Sequence, residues 1–553
     1  MLRHRIGAWT TAAALALLAF CEGFKKIRNP DYWWHLSTGQ WIANTGSVPT
    51  ADPFTYTVPG APWIDIHWLF QLGLEALHGI GGHDGVVVVK AVASVVLVAI
   101  LATVGWRPER PYLTAFGLGS MLLIAGERFL ARPEMASFLL LAAILALLER
   151  NERRDDAWVY AVVPLQLVWV NLHGLFALGV AICGFYLLSD AIRSRQATGR
   201  ARPSRRLLKV TALVALASFA NPNFVDGALY PFEQFVMIGP TGDRGIPGRS
   251  VIELRPVWDP KIPAVWLVLP AVLCLVGIVA QVANWRANRS RVAHALIFSS
   301  FLLLALQANR NLALFAIVAA PLTIRNASEW LDRHPPPVAA GRWATAALTL
   351  ALLLASFDVA RNSFYARMRT VHETGLGTVD VFLPEGAVDW IERERPPGRI
   401  AHQMALGGYV NWRLYPDYQV MVDGRLEVFG PEMLGALAFT TPRAFRRLDA
   451  SYYFGSVLLS PSFDPAKFIA WMNQNPDWRL VYADMGGLLF VRIDARGSPQ
   501  WPAVDVAAPD LLPEMKSGSR GMDQARRKAR MVLFAGLGQM DRAQAELGAV
   551  TEP

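Results

Sequence analysis

Apolar residues in this chain come in long runs separated by short polar stretches, and the runs have the length of membrane spans. A span needs about 20 mostly apolar residues. Such runs, some of them shorter, fall at about 6–24, 86–105, 112–126, 135–149, 157–171, 175–190, 208–221, 263–284, 293–308, 312–325 and 343–358. They predict a polytopic α-helical membrane protein of about 11 spans. The first run follows Arg3 and Arg5, as the core of a signal peptide would. The CEGFKKIRNP after it lacks a small-residue cleavage site, so the run is read as a retained span. Residues 1–360 are thus expected to form a transmembrane bundle with two long outside loops, 25–85 and 221–262.

After about residue 360 the pattern changes. EGAVDWIERERPPG predicts a helix with a Pro-Gly stop. GRIAHQM, QVMVDGR, GSVLLSP and WRLVYADMGGLLFVRI predict strands, the last a hairpin turning at MGG. With helices expected at about 431–438 and 465–475, residues 361–498 read as a soluble α/β domain large enough for its own core. Residues 499–553 read as a Pro-rich linker and a short helical hairpin tail.

Composition narrows the class. Only 18% of residues are charged, against about a quarter in soluble proteins, and 53% are hydrophobic, which excludes a disordered chain. The three cysteines, Cys21, Cys183 and Cys274, lie in or beside apolar runs and make no disulfide framework. The net charge of +9 does not indicate nucleic acid, because its arginines cluster at the ends of apolar runs, as in proteins whose partner is the lipid bilayer. RPER, ERNERRDD, RSRQATGRARPSRRLLK, NWRANRSR and residues 325–342 are the arginine-rich loops. The positive-inside rule then puts the N-terminus in the cytoplasm, and an odd span count puts everything after about residue 360 outside it. Abundant arginine with little lysine suggests a GC-rich bacterial genome, hence a bacterial inner membrane. Neither a Walker loop nor G-x-S-x-G is present, and no inverted repeat suggests a transporter.

Candidate chemistry lies in the outside loops. DYWWHLSTGQWIAN predicts an amphipathic helix ended by Gly46, with Asp31, His35 and Thr38 on one face and Trp34 and Trp41 on another. A second helix is expected across WIDIHWLFQLGLEALHGI. Asp31 is either a base at the membrane surface or a helix cap. Arg128, Arg132 and Arg310 oppose the positive-inside tendency, and a guanidinium suits a phosphate. The competing reading pairs them with Glu127, Glu134 or Glu253. Lys90 is expected to snorkel outward. His173 in WVNLHGLF reads as a turn histidine, or with Asp31, His35, His67 and Glu253 as part of a divalent site. Glu253 and Arg255 are the notable charges of the second long loop, with an ion pair to each other or to bundle arginines as the plain alternative. In V-D-G-R, Asp423 and Arg425 read as an Asp-Gly turn with a solvated arginine.

An acidic residue soon after the first span, a helix closing in G-x-x-P and a W-x-x-x-x-W-L helix before the second span together resemble the GT-C superfamily. Those are membrane glycosyltransferases that use polyprenyl-phosphate-linked sugars. ARPEMASFLLLAAILALLER, Ala131 to Arg150, is similar to their segment that re-enters the membrane after the second outside loop. The resemblance covers about residues 1–330 and implies hexosyl or pentosyl transfer to an extracytoplasmic glycan, lipid or protein. It implies Asp31 as the catalytic residue and His35, Arg128, Arg132, Arg310, Glu253 and Arg255 as substrate-binding residues. The paired Asp-Asp or Asp-Glu of several members is missing, which leaves open a divalent cation held by Asp31, His35 and His173. GGYVNWRLYPDYQVMVDGRLEVFG resembles a domain found behind such bundles in bacterial membrane proteins. The alternative is a non-catalytic membrane scaffold or partner-binding protein on the same bundle.

Overall fold

The computed structural model describes residues 2–238, 252–287, 291–493, 501–512 and 520–551. Helices occupy every apolar run: Leu2–Gly23, Trp68–Gly105, Pro111–Ala125, Pro133–Arg154, Val162–Val170, Ala177–Thr198, Arg205–Ala217, Val265–Arg286, Val292–Gln307, Leu312–Leu331 and Val338–Ala360. Among the described residues, six helical segments are long and apolar enough to cross a membrane. The fold is a polytopic membrane bundle. Leu312–Leu331 is its buried centre, whereas Val265–Arg286 and Val338–Ala360 turn Val268, Leu275, Val279, Leu350 and Leu354 outward, as helices solvated by lipid do.

The first outside loop folds into the helix Asp31–Thr45, closed by Gly46 at φ 68°, and a loop leading to Trp68. The second expected helix forms from Trp68, and a break at Gly82, at φ 59°, separates it from the span that follows to Gly105. Lys90 on this element does not snorkel. It is buried and donates to the Lys25 carbonyl at 2.7 Å, because the polar end of the first span folds back over it.

The C-terminal sheet has strands β1 (Arg399–His402), β2 (Phe454–Leu459), β3 (Trp478–Ala483) and β4 (Leu488–Arg492), in the order β1-β2-β4-β3. β1 and β2 are parallel and the other pairs antiparallel. QVMVDGR is not a strand of this sheet: only Val420 bridges, to Thr55 of the first outside loop. Its β-branched residues are extended because they are buried there, without a ladder to join.

GGYVNWRL belongs to a helix instead, Met404–Leu414. A Cβ on Gly408 would stand 3.0 Å from the Pro30 carbonyl oxygen and 3.1 Å from the Trp34 nitrogen, so glycine lets this helix lie directly on Asp31–Thr45. Asn411 then donates to the Ser37 hydroxyl at 2.8 Å.

The apolar core therefore does not follow chain order. One cluster fills the bundle, with Leu18, Leu122, Phe138 and Phe315. The other joins Tyr32, Trp33, Phe54 and Trp63 of the first loop to Val410, Val422, Phe454 and Leu489. The tail helices Arg520–Gly536 and Met540–Thr551 pack on this second body, where Arg526 meets Asp380 at 3.1 Å and Glu373 at 3.7 Å.

Candidate functional site

Asp31 opens the helix Asp31–Thr45 but does not cap it. The Asp31 N–H donates to Asn29 Oδ1 at 3.3 Å, and no side chain caps from the N-cap position, Pro30. The carboxylate is free for another partner and forms an ion pair with Arg132, just ahead of the helix Pro133–Arg154. Arg132 also lies 3.8 Å from Glu253, in the short turn Ile252–Leu254 of the second long loop. Arg128 pairs with both Glu134 and Glu253. Arg310, in the turn Asn309–Asn311, feels the charges of Glu134, Arg128, Glu253 and Arg132. Among the described residues it has no ion-pair partner of its own. Arg255 does not pair with Glu253: its guanidinium is taken by Asp259 at 3.1 Å, and its carbonyl holds the Asn309 N–H at 2.8 Å.

Three guanidinium groups thus face three carboxylates. Burial pushes the Glu253 carboxyl up, but Arg128 and Arg132 outweigh it and hold the group below the usual range. Burial likewise disfavours the Arg128 cation, and Glu134 and Glu253 more than offset that. Arg310 is the member of this cluster without an ion pair among the described residues.

Beside this cluster run three imidazoles. The His35 and His67 rings are 5.4 Å apart and those of His67 and His173 5.5 Å, with the Trp34 ring centre 3.6 Å from that of His35 and tilted by 34°. Burial, then the neighbouring imidazoles, pushes His35 well below its ordinary value, and burial with His173 does the same to His67. His173 falls to about 3, through burial and then Arg310, Arg132 and Arg128. The row is therefore neutral at neutral pH. His173 shares a hydrogen bond of 2.8 Å with Ser137, which Trp169 also reaches. His35 Nδ1, His67 Nδ1, Trp34 Nε1 and Asp65 Oδ2 are buried without a partner among the described residues. Such atoms suit a ligand rich in hydroxyl groups, since leaving them unpaired is costly.

The C-terminal region supplies a wall. Arg425 is fully buried, not solvated, because Asp52 of the first loop closes over it. It pairs with Asp423 at 2.7 Å and Asp52 at 2.8 Å, and lies 4.6 Å from the Trp63 ring centre and 5.0 Å from that of Phe54. This clamp presses Gly424 onto the site. A Cβ there would be 2.5 Å from Asp31 Oδ1 and 3.0 Å from Trp34 Nε1.

The fold has a counterpart among solved structures. The chain is similar to the apo oligosaccharyltransferase of Archaeoglobus fulgidus, with 12% identity, a TM-score of 0.53, and coverage of 83% of this chain and 70% of that one. The two chains share a fold. ArnT from Cupriavidus metallidurans bound to undecaprenyl phosphate is similar at 13% identity and a TM-score of 0.48, over 89% of this chain and 99% of that one. No protein-family model matches the sequence, nor does any curated protein.

On this fold the candidate cation ligands are not assembled. Asp31 turns to Arg132 and the imidazoles turn to one another. Among the described residues, the one set of three acidic or histidine ligand atoms within 4.8 Å of one another is Glu149, Glu152 and His294. Asp31, His35 and His173 as placed do not fit a metal.

Asp65 and Gly424 escaped the sequence reading. Burial pushes the Asp65 carboxyl up to about 7, against hydrogen bonds from the His67 N–H and Gln71. Between about pH 4 and this value the folded chain keeps a proton that the unfolded chain releases, so stability falls as pH rises. Asp65→Asn removes that titration. Relative to the parent, the variant is expected to gain on the order of a few kcal/mol from about pH 4 to 7. Melting temperatures in detergent across that range check this. A difference that stays constant with pH would mean that Asp65 is already ionised at the acid end.

Proposed function

We propose that this protein transfers a sugar from a polyprenyl-phosphate-linked donor to an extracytoplasmic acceptor, from a bacterial cytoplasmic membrane that it crosses about 11 times, N-terminus inside. The observation that carries the reading is the meeting of one half-buried carboxylate, Asp31, with Arg132, whose neighbour Arg310 has no ion-pair partner among the described residues, at the loop end of a GT-C-like bundle. Asp31 takes the proton from the acceptor hydroxyl or amide as that atom bonds to the anomeric carbon. The bond from the anomeric carbon to the phosphate oxygen breaks, and polyprenyl phosphate leaves with both electrons. Arg310 and Arg132 hold the charge that grows on it. In this reading the unpaired atoms of His35, His67 and Trp34 take sugar hydroxyls.

The test is to incubate the full chain with a panel of polyprenyl-phosphate sugars and follow release of the lipid phosphate. Arg310→Gln is expected to raise the donor KM by about tenfold to a hundredfold, the worth of a hydrogen bond to a charged group, without lowering the melting temperature. No release from any donor by the unaltered protein would favour the non-catalytic scaffold. Unchanged kinetics in Arg310→Gln would remove the phosphate from that arginine.

A further inference from the structure

At the end of the bundle away from Asp31, Val265–Arg286 and Val292–Gln307 both pack on the buried helix Leu312–Leu331. Between them they leave a cavity of about 450 Å3. Its walls are apolar, from Ile278, Val282, Phe298 and Leu302. Its floor is polar but satisfied: Asn326 meets His294 at 3.0 Å, and His294 meets Glu149 at 2.7 Å. Glu149 also takes Arg325 and the Tyr186 hydroxyl. The acids of this end are thus already partnered, and no metal is needed to neutralise them.

The rim differs from the floor. Arg291 gives Nε to Glu152 at 3.5 Å and Nη2 to Glu329 at 2.8 Å, yet its Nη1 is buried without a partner. Arg286 is exposed and has no ion-pair partner among the described residues. Trp285 stands beside it, 69% exposed, as aromatic residues do at a membrane interface. Apolar walls under a free guanidinium and an orphan N–H match an anionic head joined to a hydrocarbon chain. Glu152 is shared by Arg291 and Arg193, and Glu329 by Arg291 and Arg325, so Arg286 is the lining cation without an ion-pair partner among the described residues.

We propose that this cavity is a binding site for one anionic diacyl phospholipid, its phosphate held by the exposed Arg286 at the rim and an acyl chain between the two helices. The site is separate from the Asp31 cluster and does not depend on the sugar-transfer reading.

Native mass spectrometry of the delipidated full chain tests it, with phosphatidylglycerol, phosphatidylcholine and undecaprenyl phosphate as probes. One phosphatidylglycerol is expected to bind, and phosphatidylcholine to bind at least tenfold more weakly. Arg286→Ala should weaken phosphatidylglycerol about tenfold. Ser299→Trp, which fills the cavity from an exposed position, should abolish its binding. Both variants alter exposed side chains, so unchanged melting temperatures serve as the folding control. Equal binding of the two phospholipids, or retention of phosphatidylglycerol by Ser299→Trp, overturns the site. Preferential binding of undecaprenyl phosphate that Arg286→Ala removes also overturns it, in favour of a second station for the donor.

Discussion

Asp31→Asn is expected to lower sugar transfer by on the order of 10²-fold or more and to leave the protein folded. Asparagine cannot accept the acceptor's proton, so the loss falls on turnover. The fold has little at stake, because the capping role belongs to Asn29 and the Asp31–Arg132 pair is partly exposed. A pair of that kind contributes about 1 kcal/mol at most. Gly424→Ala approaches the same carboxylate from the C-terminal side. The added Cβ falls 2.5 Å from Asp31 Oδ1, so the carboxylate must move, and kcat should drop more than donor KM changes. Release of polyprenyl phosphate and melting temperature are measured together for both variants. A fully active, normally stable Asp31→Asn protein would end the catalytic assignment.

Arg425→Ala should be the most destabilising single change at the interface between the first loop and the C-terminal region. It strands Asp52 and Asp423 as buried carboxylates and empties the space between Trp63 and Phe54. Removing one partner from a buried ion cluster costs about 3–5 kcal/mol. The damage should be visible as faster hydrogen exchange in residues 52–63 and 420–425 together, since the two segments are one packed unit. Adding Asp52→Asn and Asp423→Asn to Arg425→Ala should restore part of the loss, because the neutral amides no longer carry uncompensated charge. Exchange confined to one segment would show that the clamp does not join them.

How far each feature could be read beforehand follows from its range along the chain. Each glycine of GGYVNWRL lowers its helix propensity by about 1 kcal/mol. It is helical because Gly408 buys close contact with Asp31–Thr45, far away in sequence. QVMVDGR had the composition of a strand, but burial against the first loop, not a ladder, is what extends it. Lys90 looked like a snorkelling cation until the Lys25 carbonyl met it. Arg425 looked solvated until Asp52 covered it.

The sequence by itself determined the helical bundle, because a membrane span is a local property: each run must be apolar along its own length. It also marked Asp31, Arg128, Arg132 and Arg310, since a charge beside an apolar run is visible without a partner. Only the tertiary structure decided which charges meet. It pairs Asp31 with Arg132, leaves Arg310 free, gives Arg255 to Asp259 and seats Gly424 on the Asp31 carboxylate. Pairing energies depend on distance and burial, and neither exists until remote segments have folded together.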